Sequence, residues 1–200
     1  MKINTVKTAF KIADVELVPN STKLNFNYLN DLKDENGQKL PQSILRENYA
    51  RVYIIVVDAE IKKIGGSQSA GGIKQTLEIY RDGGIGGRPS IRSFGIWYFL
   101  YSTMLQKHKV EFYMIFQPNF TADIKGLFGY NKILNASYSY KILENCCMND
   151  YLKQSDGKYP AWNVQEQAGD WPSDIKIQHS ELMNKSLKRK QGKGRKEVSQ

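Results

Sequence analysis

The sequence predicts an α+β domain in which a small three-stranded antiparallel sheet is flanked by helices, in the order β-β-α-α-β-α. Three observations support this prediction. Arg51–Val57 is rich in β-branched and aromatic residues, which is typical of a buried strand. A short apolar run follows it after a tight turn, so the two runs predict a hairpin. Farther along, apolar residues recur at helical spacing in the segment from about Tyr138 to Lys153.

The first half of the order runs from the first strand to the first helix. Asp58-Ala-Glu60 predicts the tight turn, and Ile61-Lys-Lys-Ile-Gly65 predicts the second strand. A glycine-rich loop then reaches Gly72. Ile73 to Arg81 fits a helix whose apolar face carries three residues, namely Ile73, Leu77 and Tyr80.

The second half begins after another glycine-rich loop. Ser90 is a suitable N-cap for a helix from Ile91 to about Lys107. Val110–Phe116 predicts the third strand, and an irregular stretch separates it from the last helix, about Tyr138 to Lys153. That helix carries one apolar stripe, formed by Leu143, Cys147 and Tyr151.

The regular pattern divides the chain into three parts. Residues 1–48 have weak periodicity, with short strands indicated at Phe10-Lys-Ile12 and Val15–Val18, and they predict an extension or a small subdomain. Residues 49–166 hold the predicted sheet and its helices, and residues 167–200 predict a C-terminal helix and a basic tail.

The net charge of +9 indicates a polyanionic partner, but its distribution weakens that inference. Two thirds of this charge lie in the segment from Met183 to Gln200, which is compatible with either a solvated end or contacts to a phosphate backbone. The residues predicted to make such DNA-backbone contacts are Lys185, Lys188, Arg189 and Lys190.

Cysteine usage and hydropathy indicate the compartment. The only cysteines, Cys146 and Cys147, are adjacent, which excludes a disulfide framework and favours a reduced, cytoplasmic protein. No apolar run is long enough to cross a bilayer, and the segment Met1–Ala13 lacks the apolar stretch of a secretory signal, so no membrane partner is expected.

Short motifs on these elements appear in a recognisable order. Tyr53 lies on the first strand, Lys63-Ile-Gly65 on the second, and Leu143-Glu-Asn145 on the last helix, with Pro160-Ala-Trp-Asn163 after it. Together they resemble the GIY-YIG nuclease superfamily, and the layout is most similar to its type II restriction endonucleases. Those enzymes also have lysine where the second tyrosine of the motif would stand. The resemblance covers roughly residues 50–164.

The resemblance implies a role for each matching residue. Glu144 would be the ligand of a Mg²⁺ ion, for which Mn²⁺ would substitute, and Tyr53 would be the general base that activates water. A phenol has a pKa near 10, so a neighbouring cation is needed to favour the phenolate, and Lys63 on the paired strand could supply that charge. Gly65 completes the second motif, and Asn163 would either orient the site or form a turn.

The arginine that the family places on the next helix is not at its expected position, where Ile73 and Lys74 stand instead. Three candidates remain for the phosphate clamp. Lys74 fits the spacing, while Arg92 follows a helix N-cap and can hold phosphate oxygens bidentately. Arg81 is the third candidate, on the same helical face as Lys74.

These features predict a Mg²⁺-dependent endonuclease that hydrolyses double-stranded DNA. A type II restriction enzyme is the leading interpretation and predicts a homodimer, because two cuts require two sites. A structure-specific repair or homing nuclease acting as a monomer is the first alternative. The second is a catalytically degenerate DNA-binding module, which the missing helix arginine favours.

Overall fold

The computed structural model describes residues 1–84 and 87–194, except for the side chains of residues 187–194. The strands are Phe10–Leu17 (β1), Leu24–Tyr28 (β2), Ala50–Val57 (β3), Glu60–Ser67 (β4), Val110–Gln117 (β5), Phe120–Gly126 (β6) and Gly129–Ala136 (β7). The α-helices are Gly72–Glu78 (α1), Ile91–Leu105 (α2), Tyr140–Gln154 (α3) and Ser173–Gly194 (α4). Two short 3-10 helices cover Ile3–Thr5 and Gln42–Leu45.

The main sheet has five strands in the order β2-β1-β5-β3-β4, and each neighbouring pair is antiparallel. The α+β class and the antiparallel pairing are therefore confirmed, but the prediction of a three-stranded sheet is wrong. The predicted strands β3, β4 and β5 form one side of the sheet. The two additional strands come from residues 1–48 and continue it beyond β5.

The N-terminal segment is thus part of the sheet. Where two short strands were expected, Phe10–Leu17 forms a single strand that pairs with β2 on one side and with β5 on the other. Asp14, for example, lies opposite Glu111 of β5, almost a hundred residues later. The predicted boundary at residue 48 therefore runs through one sheet, because pairing over such a distance leaves no local pattern in the sequence.

Strand β3 is buried on both faces because helices cover the sheet on either side. Tyr53, Ile55 and Val57 pack into a core with α1, α2 and α4, whereas Val52, Ile54 and Val56 pack against α3. The stripe predicted on the last helix is confirmed, because Leu143, Cys147 and Tyr151 all contact the second of these cores. None of the described helices combines the length and apolar content of a bilayer span.

The first residues of the helices agree with the sequence-based predictions more closely than the last residues do. Ser90 caps α2 as predicted, and its Oγ accepts a hydrogen bond from the Ser93 amide at 3.2 Å. Helix α1 ends at Glu78, earlier than the predicted Arg81. The stretch expected to be irregular before α3 contains the hairpin of β6 and β7, which pair only with each other among the described strands.

Candidate active site

Two adjacent glycines at the outer edge of the sheet allow groups from both faces to meet. Strand β4 is an edge strand, and a Cβ at Gly65 would lie 2.5 Å from the Tyr53 ring. A Cβ at Gly66 would lie 2.9 Å from Glu144 Oε2. Neither close approach is compatible with a larger side chain. The glycine pair therefore lets Tyr53 cover the edge from one face while Glu144 covers it from the other.

Glu144 is held in place by the backbone of that edge. The amide N–H of Gly66 donates to Glu144 Oε1 at 2.7 Å, so one carboxylate oxygen is fixed by the sheet. The side chain rises from the first half of α3, a helix that packs on β3 and β4. Glu144 is half-buried and lies on the wall of a cavity of about 350 Å³.

Tyr53 is buried and pairs with a second tyrosine. Its hydroxyl lies 2.7 Å from that of Tyr80, which follows α1. Burial raises the pKa of Tyr53 well above its usual value, the Tyr80 hydroxyl and the Glu144 carboxylate raise it further, and Arg92 opposes this shift. In the free protein these surroundings favour the neutral phenol of Tyr53, and the nearby charge that favours the phenolate is that of Arg92.

Lys63 is also buried, with 1% of its surface exposed. It lies on the same face of the sheet as Tyr53, diagonally across from it, since Ile55 pairs with Lys63 and Tyr53 pairs with Gly65. Burial lowers the pKa of Lys63 to about 8, and the charge of Arg92 lowers it in the same direction, whereas nearby carboxylates oppose the shift. Lys63 can therefore exist as an uncharged amine close to neutral pH.

Arg92 supplies the accessible cation of the site. Its Nη2 donates to Glu166 Oε1 at 2.8 Å, and 41% of the Arg92 side chain and 26% of the Glu166 side chain are exposed. Both residues line the cavity with Glu144. The site therefore has an accessible charged layer formed by Arg92, Glu144 and Glu166, and a buried layer of Tyr53, Tyr80 and Lys63 behind it.

The structure does not bring the other two cation candidates to this cavity. The Lys74 ammonium lies over the Tyr28 ring, 4.6 Å from its centroid. Arg81 is exposed and forms an ion pair with Glu78 at 2.7 Å. Arg92 is therefore the candidate that lies beside Glu144, as its chemistry rather than its spacing had suggested.

Asn163 supports the site from behind and is fully buried. Its Oδ1 accepts from the Ile64 amide at 2.9 Å, and its Nδ2 donates to the Ile64 carbonyl at 2.8 Å. The Trp162 amide also donates to the Lys62 carbonyl at 2.8 Å. These bonds replace the missing neighbour strand along β4 and hold the strand that carries Lys63 and the two glycines.

The basic tail is described only in part. Lys185 is an exposed residue of α4 and is not among the residues that line the cavity. The side chains of Lys188, Arg189 and Lys190 lie outside the described residues, so their predicted contacts with the DNA backbone remain a prediction.

Two site residues were missed from the sequence. Tyr80 was assigned only to an apolar helix face, and the hydroxyl pair with Tyr53 depends on how α1 packs on the sheet. Glu166 follows the Asn163 segment by three residues, and an acidic residue in a loop carries no local signal of its partner. The only signal in the sequence is Arg92 itself, because a basic residue near a helix start could pair with a carboxylate such as that of Glu166.

The carboxylates fit one mode of metal binding. No cluster of three or more His, Cys, Asp or Glu side chains forms a metal cage in the part of the chain that the structure describes. Mg²⁺ does not require one, because it commonly binds through one or two carboxylates together with waters and substrate phosphates. Glu144 has one oxygen fixed by Gly66 and lies on a cavity wall, so its carboxylate fits that role.

Comparisons with known proteins identify a shared fold. No protein-family model matches the chain, and no curated protein matches it. A mutant of EndoII from bacteriophage T4 superimposes with a TM-score of 0.50 at 17% identity, over 81% of this chain and 96% of that one. The restriction endonuclease HPY188I in complex with product DNA gives a TM-score of 0.44 at 20% identity, over 80% and 84% of the two chains. The likeness to EndoII shows that the two proteins share a fold.

Proposed function

We propose that this protein is a Mg²⁺-dependent endonuclease that hydrolyses phosphodiester bonds in double-stranded DNA, of the GIY-YIG kind. The observation that carries the proposal is the position of Glu144, anchored to the Gly66 amide on the wall of a cavity that Arg92 shares. A carboxylate for a hard cation and a guanidinium for phosphate are the groups that this reaction needs. The fold shared with EndoII supports the endonuclease part of this proposal.

Glu144 is the proposed ligand of Mg²⁺, with Mn²⁺ as a substitute. When bound, such a cation neutralises charge on the scissile phosphate and stabilises the leaving oxygen. Arg92, which lines the same cavity, binds a non-bridging phosphate oxygen, and to do so it must leave Glu166. Arg92 thus exchanges one anionic partner, the Glu166 carboxylate, for another, the phosphate. Its guanidinium is therefore paired with a negative charge before and after DNA binds.

Lys63 is the proposed acceptor of the proton from the attacking water. Its pKa of about 8 lets a fraction of the amine be uncharged near neutral pH. Tyr53 has a raised pKa, so it acts as a neutral hydrogen-bonding group held by Tyr80. The alternative, in which Tyr53 itself is the base, requires a phenolate that the surroundings of the free protein disfavour.

The biological role that we favour is that of a type II restriction enzyme in the cytoplasm, acting as a homodimer on a short DNA site. A repair or homing nuclease keeps the same chemistry but acts on branches, lesions or one long site. Digestion of plasmid DNA into discrete fragments supports restriction, whereas nicking confined to branched substrates supports the alternative.

The test of the chemistry compares Glu144→Gln with a matched control on the same helix, Asp150→Asn. Asp150 is exposed on α3. We expect plasmid cleavage in Mg²⁺ to fall by at least about 10³-fold in Glu144→Gln, while DNA binding in Ca²⁺ persists. Asp150→Asn should cleave like the wild type.

Two results would overturn the proposal. Cleavage by Glu144→Gln at the wild-type rate removes the metal ligand from the mechanism. DNA binding without cleavage by the wild-type protein, in both Mg²⁺ and Mn²⁺, favours a DNA-binding module on this fold.

A further inference from the structure

The hairpin of β6 and β7 carries an apolar tip that nothing in the described chain covers. Leu127 is 89% exposed and Phe128 is 98% exposed, and both lie in the turn between Gly126 and Gly129. Isolated exposed apolar residues are ordinary, but two adjacent large ones at the end of a projecting ribbon indicate an interaction site.

The base of this hairpin lies beside the candidate active site. Gln68 Nε2, at the end of β4, donates to Ser137 Oγ at 2.9 Å, just after β7 ends. Gln68 follows Gly66, which holds Glu144, by two residues. Helix α3 begins at Tyr140, directly after the hairpin, and a Cβ at Gly66 would lie 2.6 Å from the Tyr140 ring. The base of the hairpin is therefore close to Glu144 in the fold.

One face of the hairpin carries mainly charged side chains. Cross-strand partners point to the same face, so Lys125 shares a face with Tyr130, and Asp123 shares it with Lys132. This face presents two ammonium groups, one carboxylate and a phenol to solvent, and its net positive charge suits phosphates and sugars. Each strand of seven or eight residues spans about 25 Å at roughly 3.3 Å per residue, longer than the roughly 12 Å width of a DNA major groove.

We propose that the β6–β7 hairpin enters a groove of the DNA duplex bound over Glu144 and inserts Leu127 and Phe128 between neighbouring base pairs. Apolar side chains used in this way unstack a base step and kink the duplex. This inference rests on the proposed function, because it takes the substrate to be double-stranded DNA.

The two tip side chains are too small to hold a second copy of this chain by themselves, and such an interface would have to include other exposed residues of the hairpin, such as Tyr130 and Leu134. A stable protein interface buries about 800 Å² on each partner. Two side chains at a turn offer at most about half of that area, since a large aromatic residue buries roughly 150–250 Å². A base step, in contrast, accepts one or two apolar side chains.

The test measures base unstacking directly. Duplexes carry 2-aminopurine at successive positions around the cleavage site, and binding is followed in Ca²⁺ with the Glu144→Gln protein. That protein is expected to bind without cutting. We expect fluorescence to rise at one base step, and the added pair Leu127→Ala and Phe128→Ala to abolish the rise and to weaken binding about tenfold. Phe128→Trp should retain both effects.

A matched control is Ile177→Ala, which removes an exposed apolar side chain from α4. It should leave fluorescence and affinity unchanged. Unfolding curves of the tip variants should match that of the parent, because the two side chains are almost fully exposed.

Outcomes against the inference are separate from outcomes against the proposed function. Tip variants that unstack the duplex like their parent overturn the hairpin assignment, even if the wild type cleaves DNA in a Glu144-dependent manner. A tip variant that loses self-association in sedimentation while 2-aminopurine fluorescence is unchanged assigns the tip to a second copy. Cleavage that survives Glu144→Gln overturns the catalytic proposal and leaves the fluorescence readout interpretable.

Discussion

A single buried amine, Lys63, has opposite effects on stability and on the proposed chemistry. Its pKa is lowered from 10.5 to about 8, mainly by burial. At neutral pH the protonated Lys63 side chain is therefore less favourable in the folded protein than in the unfolded chain. This difference lowers the free energy of unfolding by at most about 3 kcal/mol. A lysine in this environment lowers stability, as expected for a residue with the catalytic role proposed above.

Replacing this lysine should make the protein more stable and less active. Between about pH 8 and 10.5 the unfolded chain binds more protons than the folded protein at this site, so the unfolding free energy of the wild type should rise with pH in that window. Lys63→Met should be more stable at pH 7, should lose this rise, and should lose cleavage. Urea unfolding across the pH range measures the difference between the two proteins. A difference that does not change with pH contradicts the lowered pKa.

Asn163 shows the reverse pattern, a polar residue whose role is structural. Asn163→Ala removes both hydrogen bonds to Ile64 and leaves a buried amide and a buried carbonyl without partners. We expect a loss of about 2–4 kcal/mol in the free energy of unfolding. Asn184→Ala, at an exposed position of α4, is the control and should change stability little. An equal effect of the two substitutions would show that β4 does not depend on this clamp.

At the scale of elements, the glycine pair of β4 determines how α3 approaches the sheet. Gly66→Ala would place a Cβ 2.6 Å from the Tyr140 ring and 2.9 Å from Glu144 Oε2. We expect this methyl group to displace Glu144 and to reduce cleavage about hundredfold, because small misplacements at a reacting centre are costly. Gly87→Ala is the control, since its Cβ would meet only an ordinary contact at 3.6 Å. Wild-type cleavage by Gly66→Ala would show that Glu144 tolerates a shift.

The elements themselves were predictable where local chemistry defines them. The apolar run of β3, the Ser90 cap of α2 and the stripe of α3 all appear as the sequence indicates. The pairing of β1 with β5 was not predictable, because a strand pattern identifies a strand but not its partner. The β6–β7 hairpin escaped prediction for another reason: most of its residues are exposed, so no apolar alternation marks a buried face.

The residues of the candidate site also divide into those that the local sequence identified and those that required the tertiary structure. Tyr53, Lys63 and Glu144 were found because each lies on a regular element in a recognisable order. Arg92 was one of three candidates, and only the cavity that it shares with Glu144 in the folded chain singled it out. Glu166 required the tertiary structure, since its role is defined by Arg92, 74 residues away.

At the scale of the whole molecule, charge is distributed unevenly between the folded body and its end. The net charge is +9, and residues 187–200 contain six basic residues against Glu197. The apolar contacts of α4 with the core come earlier, since Ile175 is buried and Leu182 packs against the same cluster. More than half of the net charge therefore lies beyond the residues of α4 that contact the core.

Removal of residues 187–200 tests whether this charge contributes to DNA binding without contributing to folding. We expect the shortened protein to unfold like the full chain but to bind DNA more weakly at low salt, equally for all sequences, because these residues neutralise phosphates without reading bases. The plot of log affinity against log salt should become shallower by about 0.9 for each lost phosphate contact. A full-length variant with the same six basic residues changed to glutamine controls for the loss of helix length. An unchanged slope in both variants would assign the charge of the tail to solvation alone, and a changed pattern of cut sites would show that the tail contributes to sequence recognition.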